Sequence, residues 1–205
     1  MTDILSNKTL SNRIAPPEPY SALIFDCDGT LADTMPGHFA AWVAALRAGG
    51  GDITEERFYR NAGVTSAAII DALNRDFGYA LDVPQTVEAK ERLYVEGLHE
   101  VVEITAVADI ARAHAGIVPM AVASGGLRSV VHATLDSIGL RPLFDAIVTA
   151  EDVVHGKPAP DIFLHAAELL GVAPGDCIVY EDGDPGIVAA RAAGMRVIDV
   201  RVLWQ

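Results

Sequence analysis

The sequence predicts an α/β fold: a Rossmann-like, doubly wound parallel sheet with a small all-helical cap inserted after the first strand. Three observations carry this. Ala22-Leu23-Ile24-Phe25 is a short apolar run without polar alternation, the pattern of a strand buried on both faces of a parallel sheet. From about Val107 onward, short apolar runs alternate with helical patterns, which implies strand–helix–strand units with right-handed crossovers. Between these regions, residues 36–102 show helical periodicity and no convincing strand.

The elements follow in order. Residues 1–19 are polar and close on Pro16, Pro17 and Pro19, which reads as a loosely held leader. The first strand runs into Asp26-Cys27-Asp28-Gly29-Thr30. Pro36 marks a first helical turn, and Phe39, Trp42, Val43 and Leu46 recur on one helical face until Gly49-Gly50-Gly51 stops it. A second helix starts near Thr54-Glu55-Glu56. A third carries Ile69, Ile70, Leu73 and Phe77 inward, and a fourth runs from Pro84 to about Val102. A helix over 107–114 then resumes the alternation. Strands follow at Pro119–Ala123, Ala146–Val148, Cys177–Tyr180 and Val197–Val200. The helices between them present Leu127, Val130, Val131, Leu135 and Ile138, then Ile162, Ala166, Leu169 and Leu170, then an alanine-rich run ending at Gly194. The expected division is therefore 20–35 with 103–205 as the core, and 36–102 as the cap.

Composition narrows the function. A net charge of −13 argues against nucleic acid and anionic membrane surfaces as partners, so a site for an anionic substrate must carry its own positive charge. No apolar stretch is long enough to span a bilayer, and no hydrophobic signal region opens the chain. Cys27 and Cys177 sit in apolar runs and read as packed thiols of a reducing compartment, so a cytoplasmic setting is expected. No obligate protein partner is evident.

Chemistry concentrates at the carboxyl ends of the strands, where open parallel sheets bind ligands. Asp26 and Asp28, two apart, lean to one side of the strand end while Cys27 leans away. Two carboxylates held together repel unless a cation sits beside them. Ser124-Gly125-Gly126, Lys157 and Glu181-Asp182 fall at other strand ends or just beyond. Each cluster alone fits a plainer reading: a capped turn, a helix cap, a solvated loop lysine, a turn before glycine. Their joint occurrence describes a cation site beside an anion site. Asp26 and Asp182 offer hard oxygens suited to Mg²⁺. Ser124, the amides of Gly125 and Gly126, and the Lys157 ammonium offer donors to a phosphate. A carboxylate facing phosphorus can act as nucleophile, and a second can move the proton.

Asp26-x-Asp28-Gly29-Thr30, Ser124, Lys157-Pro158-Ala159-Pro160-Asp161 and Glu181-Asp182 resemble the four motifs of the haloacid dehalogenase-like superfamily, from about Ser21 to the C-terminus. The helical insert resembles the small cap of its beta-phosphoglucomutase-like subfamily. The stretch Ala189–Met195, with Val197–Leu203 after it, looks most like the fructose-1-phosphate phosphatase branch. The resemblance implies that Asp26 is nucleophile and Mg²⁺ ligand, and that Asp28 is the acid/base with its carbonyl on the metal. It implies that Asp182 is a further ligand, that Glu181 holds the metal's water shell, and that Ser124, Gly125 and Lys157 bind the transferring phosphoryl group. Thr34 matches the hinge. His38, Trp42 and Lys90 match cap positions that meet substrate, with plainer readings as helix cap, core residue and surface charge. The loop Asn61-Ala62-Gly63-Val64 is expected to set specificity.

One departure decides between activities. The mutase pattern places an arginine just after Gly-Val-Ser, whereas here Gly63-Val64-Thr65 is followed by Ser66 and two alanines. Losing that bidentate donor weakens the hold on a second phosphate, although Lys90 could compensate and Arg128 could reach a phosphate. The expectation is a Mg²⁺-dependent phosphatase of a small sugar monophosphate. A phosphosugar mutase is the alternative, and a non-catalytic sugar-phosphate binder a more distant one.

Overall fold

The structure is a computed structural model and describes residues 10–61 and 64–204. Five parallel strands form one sheet: β1 (Ala22–Phe25), β2 (Met120–Ala123), β3 (Ala146–Val148), β4 (Cys177–Glu181) and β5 (Arg196–Asp199), in the order β3-β2-β1-β4-β5. β1 is central, with Leu23 beside Met120 on one flank and Ile178 on the other. β1, β2 and β4 are buried along their whole length, which is why their sequences show no polar alternation.

The period of two sorts the apolar side chains into two cores. Leu23, Phe25, Val122, Ile178 and Tyr180 face α5 (Thr105–His114) and α6 (Arg128–Ser137). Ala22, Ile24, Ala121 and Val179 face α7 (Asp161–Leu170) and α8 (Asp184–Ala192). Small residues on the second face let α7 and α8 approach closely. On the first face Phe25 stacks on Tyr180 with ring centroids 4.8 Å apart. Cys27 lies in the first core and Cys177 in the second, both as free thiols.

The insert comprises α1 (Met35–Ala48), α2 (Glu55–Arg60), α3 (Ser66–Phe77) and α4 (Val83–Glu96). Side-chain caps explain three starts: Thr54 accepts from the amide of Arg57, Thr65 from that of Ala68, and Asp82 from that of Gln85. Trp42, Leu46, Phe58, Ile70 and Leu73 form a separate core between these helices. The chain passes between the two layers twice, and the crossings lie side by side: Asp33 N–H donates to the Val102 carbonyl (2.9 Å) and Ile104 N–H to that of Leu31 (2.9 Å). No helix among the described residues is long and apolar enough to cross a membrane.

Several expectations need correction. Residues 1–9 lie outside the described ones, but residues 10–19 are not a loose leader. Ile14 is buried in the first core, and its carbonyl accepts from the Tyr180 hydroxyl (2.9 Å). Arg196 donates to the carbonyls of Pro17 (2.8 Å) and Pro19. α4 stops at Glu96 rather than near Val102, with a short 3-10 turn at Leu98–Glu100 after it. Phe77 and Leu169 are exposed; Phe77 ends its helix beneath the Arg57 guanidinium, 4.9 Å from the ring centroid. The last strand is Arg196–Asp199, one residue earlier than expected, because buried Val200 opens a 3-10 turn.

Candidate active site

The strand ends build the site in layers. Asp26 follows β1 and continues its ladder, its N–H donating to the Tyr180 carbonyl (3.0 Å), so the buried carboxylate is fixed by the sheet itself. The chain then turns at Gly29, whose φ of +82° favours glycine; a Cβ there would lie 2.4 Å from Asp182 Oδ2. Thr30, one residue on, donates from Oγ1 to Asp182 Oδ1 (3.0 Å). β4 delivers Glu181, and the loop after it Asp182. Glu181 Oε1 accepts from the amides of Asp182 (3.1 Å) and Gly183 (2.8 Å).

Lys157 arrives from the loop before α7. Its buried ammonium donates to Asp26 Oδ1 (2.6 Å) and Glu181 Oε2 (2.7 Å). Burial opposes its charge, but the Asp26 and Glu181 carboxylates outweigh burial and raise its pKa. One ammonium does not balance three carboxylates. Burial, with Glu181 next in size, pushes Asp26 well above the usual carboxylate range; the same two causes raise Asp182 to about 7. One oxygen each from Asp26, Glu181 and Asp182 lies within 4.8 Å of the others. A hard oxygen-bound dication fits this donor set, because it would relieve the repulsion that otherwise draws in protons.

Asp28 points to the opposite side of the site from Asp182, towards the cap. His38 Nε2 lies 3.0 Å from Asp28 Oδ1. Burial, helped by the charge of Lys90, lowers the pKa of His38, and its Nε2–H is the donor because an ionised carboxylate only accepts. Burial alone would raise Asp28, but the His38 contact overcomes it, Thr34 and Lys90 add to the effect, and the carboxyl stays below its usual range. Ser124 ends β2 and is buried, with Oγ 3.4 Å from Asp28 Oδ2. The Gly126 amide donates to Ser124 Oγ (3.1 Å), and α6 begins only at Arg128, so Gly126 shapes the loop and does not present its amide as expected.

Between the layers lies a cavity of about 60 Å³, with Asp26, Asp28, Ser124 and Gly125 on its floor. The cap supplies the roof. His38 stacks on Tyr94 with centroids 3.7 Å apart, Trp42 is buried beneath the Lys90 ammonium, and half-buried Val64 closes one edge. Asn61 lines the same cavity; Ala62 and Gly63 of that loop lie outside the described residues. Thr34 is fully buried where the first crossing enters α1. The strand-end residues therefore converge, and so do the four cap residues. Arg128 does not join them: its guanidinium pairs with Asp152 (2.5 Å) on the surface. Nothing in the sequence singled out Glu91, a buried carboxylate of the roof, because a lone acid in a charged helix reads as solvated. Thr30 stood in the quoted string without a role.

Residues 20–194 match the family model of haloacid dehalogenase-like hydrolases. The chain is 40% identical over 186 residues to "Fructose-1-phosphate phosphatase YqaB" of Escherichia coli (strain K12), covering 91% of this chain and 99% of that protein. It is 34% identical over 190 residues to "Hexitol phosphatase A" of the same organism, covering 86% and 81%. The crystal structure of a beta-phosphoglucomutase from Clostridium difficile superimposes with a TM-score of 0.76 at 26% identity, covering 88% of this chain and 84% of that one. With the family match spanning most of the sequence and the strand-end residues meeting at one point, the chain belongs to the haloacid dehalogenase-like hydrolases.

Proposed function

We propose that the protein is a Mg²⁺-dependent phosphatase of a small sugar monophosphate, working through an aspartyl-phosphate intermediate. The observation that carries this reading is the buried contact of Lys157 with Asp26 and Glu181, at 2.6 and 2.7 Å, at the mouth of the central strand. It holds a nucleophile and a phosphate-binding cation together in a water-poor site. The names of the two curated relatives support the substrate class.

Asp26 attacks phosphorus with its free oxygen while Lys157 and Ser124 hold the phosphoryl oxygens. The bond to the sugar oxygen breaks, and Asp28 gives that oxygen a proton. Asp28 is ionised in the arrangement described; the dianionic phosphoryl group arriving beside it raises its pKa and loads it. Asp28 then takes a proton from water, which attacks the acyl-phosphate and frees phosphate and Asp26. Asp26, the Asp28 carbonyl, Asp182 and Glu181 are the groups that would hold Mg²⁺; when bound it supplies charge neutralisation for the carboxylates and phosphoryl oxygens. The cavity has room for about two waters, so the cap must swing about the Thr34 crossing to admit a sugar ester. Two free buried thiols suit a cytoplasmic setting.

A phosphate-release assay over a panel of sugar phosphates, with Mg²⁺ and with EDTA, tests the reading. Metal-dependent release is expected, lost by at least about 10³-fold in Asp26→Asn, since residual rates without a nucleophile stay low. Wild-type turnover in that variant would refute the mechanism, and product isomer without free phosphate would refute hydrolysis.

A further inference from the structure

Lys90 and Glu91 form the far wall of the cavity, opposite Asp26. Both are nearly buried, at 4% and 7% exposed. The Lys90 ammonium donates to both oxygens of its neighbour, at 3.0 Å each, and Glu91 Oε1 also accepts from Ser66 Oγ (2.9 Å). The ammonium also lies over the rings of Trp42 and Tyr94, 5.6 and 5.8 Å from their centroids. Lys90 is therefore paired within the cap before any substrate arrives.

The charge balance of the cavity makes this matter. Among its described lining residues the carboxylates are Asp26, Asp28 and Glu91, and Lys90 is the lone permanent cation. His38 is hydrogen-bonded to Asp28, and Lys157 sits on the core side with Asp26 and Glu181, where it serves the transferring phosphoryl group. The far wall thus offers one remaining ammonium N–H and several carboxylate lone pairs, a set that satisfies hydroxyl groups. A second phosphate, about doubly charged at neutral pH, would meet Glu91 without a free cation to answer it.

We propose that the Lys90–Glu91 pair is a specificity subsite that reads hydroxyl groups at the far end of the substrate and rejects a second phosphate, with Glu91 as its determinant. The proposal rests on the phosphatase reading and deepens it: the substrate class is a polyol or ketose monophosphate whose other end carries hydroxyls alone.

Fructose 1-phosphate and fructose 1,6-bisphosphate share the ester at C1 and differ at the far end, so they isolate the subsite. Calorimetric Kd values are measured with Mg²⁺ in Asp26→Asn, which prevents turnover, and kcat/KM values in the enzyme with Asp26 intact. The monophosphate is expected to bind at least about tenfold more tightly, and Glu91→Gln to narrow that ratio about tenfold by admitting the bisphosphate. Glu91→Asp keeps the charge and is expected to keep the discrimination. A bisphosphate that binds Asp26→Asn as well as the monophosphate overturns the proposal, and this comparison stands even if Glu91→Gln does not fold. So does a ratio that Glu91→Gln leaves alone, or that Glu91→Asp lowers equally. If no sugar ester is hydrolysed but the Kd ordering holds, the phosphatase reading falls and the subsite stands; hydrolysis with an unchanged ratio has the opposite meaning.

Discussion

Asp182 is held between the Thr30 hydroxyl and the turn at Gly29, in the field of Glu181, and that placement gives it an unusual titration. Its carboxyl, raised to about 7 from an ordinary 3.8, binds a proton in the folded state that the unfolded chain has already released across that window. The stability this proton confers is complete below about pH 4 and is lost as pH rises through 7. In EDTA, the melting temperature is therefore expected to fall between pH 5 and 8, and to fall less in Asp182→Asn. Added Mg²⁺ should raise it more at pH 8 than at pH 5, where binding must displace protons. Equal slopes in both proteins, read by calorimetry, would remove Asp182 from this role. At this scale the sequence was most legible where residue type alone names the chemistry, as at Asp26, Asp28, Lys157 and Asp182. It was least legible at Glu91 and Tyr94, whose importance comes from what faces them across the cap.

Among the elements, α8 shows how a helix start and a strand end share one side chain. Glu181 closes β4, bonds the amides leading into α8, and fills the space above Gly186, where a Cβ would lie 1.9 Å from Glu181 Oε2. Gly186→Ala favours the helix by up to about 1 kcal/mol in propensity yet must displace that carboxylate. The expected result is Mg²⁺ binding weakened about 10–100-fold with the fold retained, measured by titration calorimetry. An unchanged Kd would mean that Glu181 does not support the metal. Elements were readable from the chain because β1, β2 and β4 are buried on both faces and the insert follows helical periodicity. The segment around Ile14 was not, since one buried apolar residue among polar ones carries no periodic signal. Helix ends such as Phe77 misled for a related reason: periodicity assigns a face but does not say where the neighbouring layer stops.

For the whole molecule, the relation between cap and core decides access. Tyr94 of α4 reaches across the divide, its hydroxyl 3.0 Å from Thr134 Oγ1 of α6, while its ring backs His38. The contact belongs to the arrangement with the small cavity, so it favours closure. Tyr94→Phe removes one buried hydrogen bond, about 0.5–1.5 kcal/mol, and keeps the ring. The expected loss in kcat/KM for a sugar ester is about two- to tenfold in steady-state kinetics. An unaffected value would show that the bond has no part in closing the cap. The two-layer plan was visible in the sequence as helices interrupting a strand–helix alternation. This cross-layer bond was not, because partners so far apart in the chain leave no shared pattern.

The central place of β1 has a consequence during synthesis. Leu23 must wait for Met120, and Ala22 for Cys177, before either flank of the strand is paired. At ordinary translation rates that interval is on the order of ten seconds, during which a strand that ends up wholly buried has no sheet to join. A nascent chain is therefore catalytically silent until β4 has left the ribosome, and its earliest strand is the natural target for a chaperone.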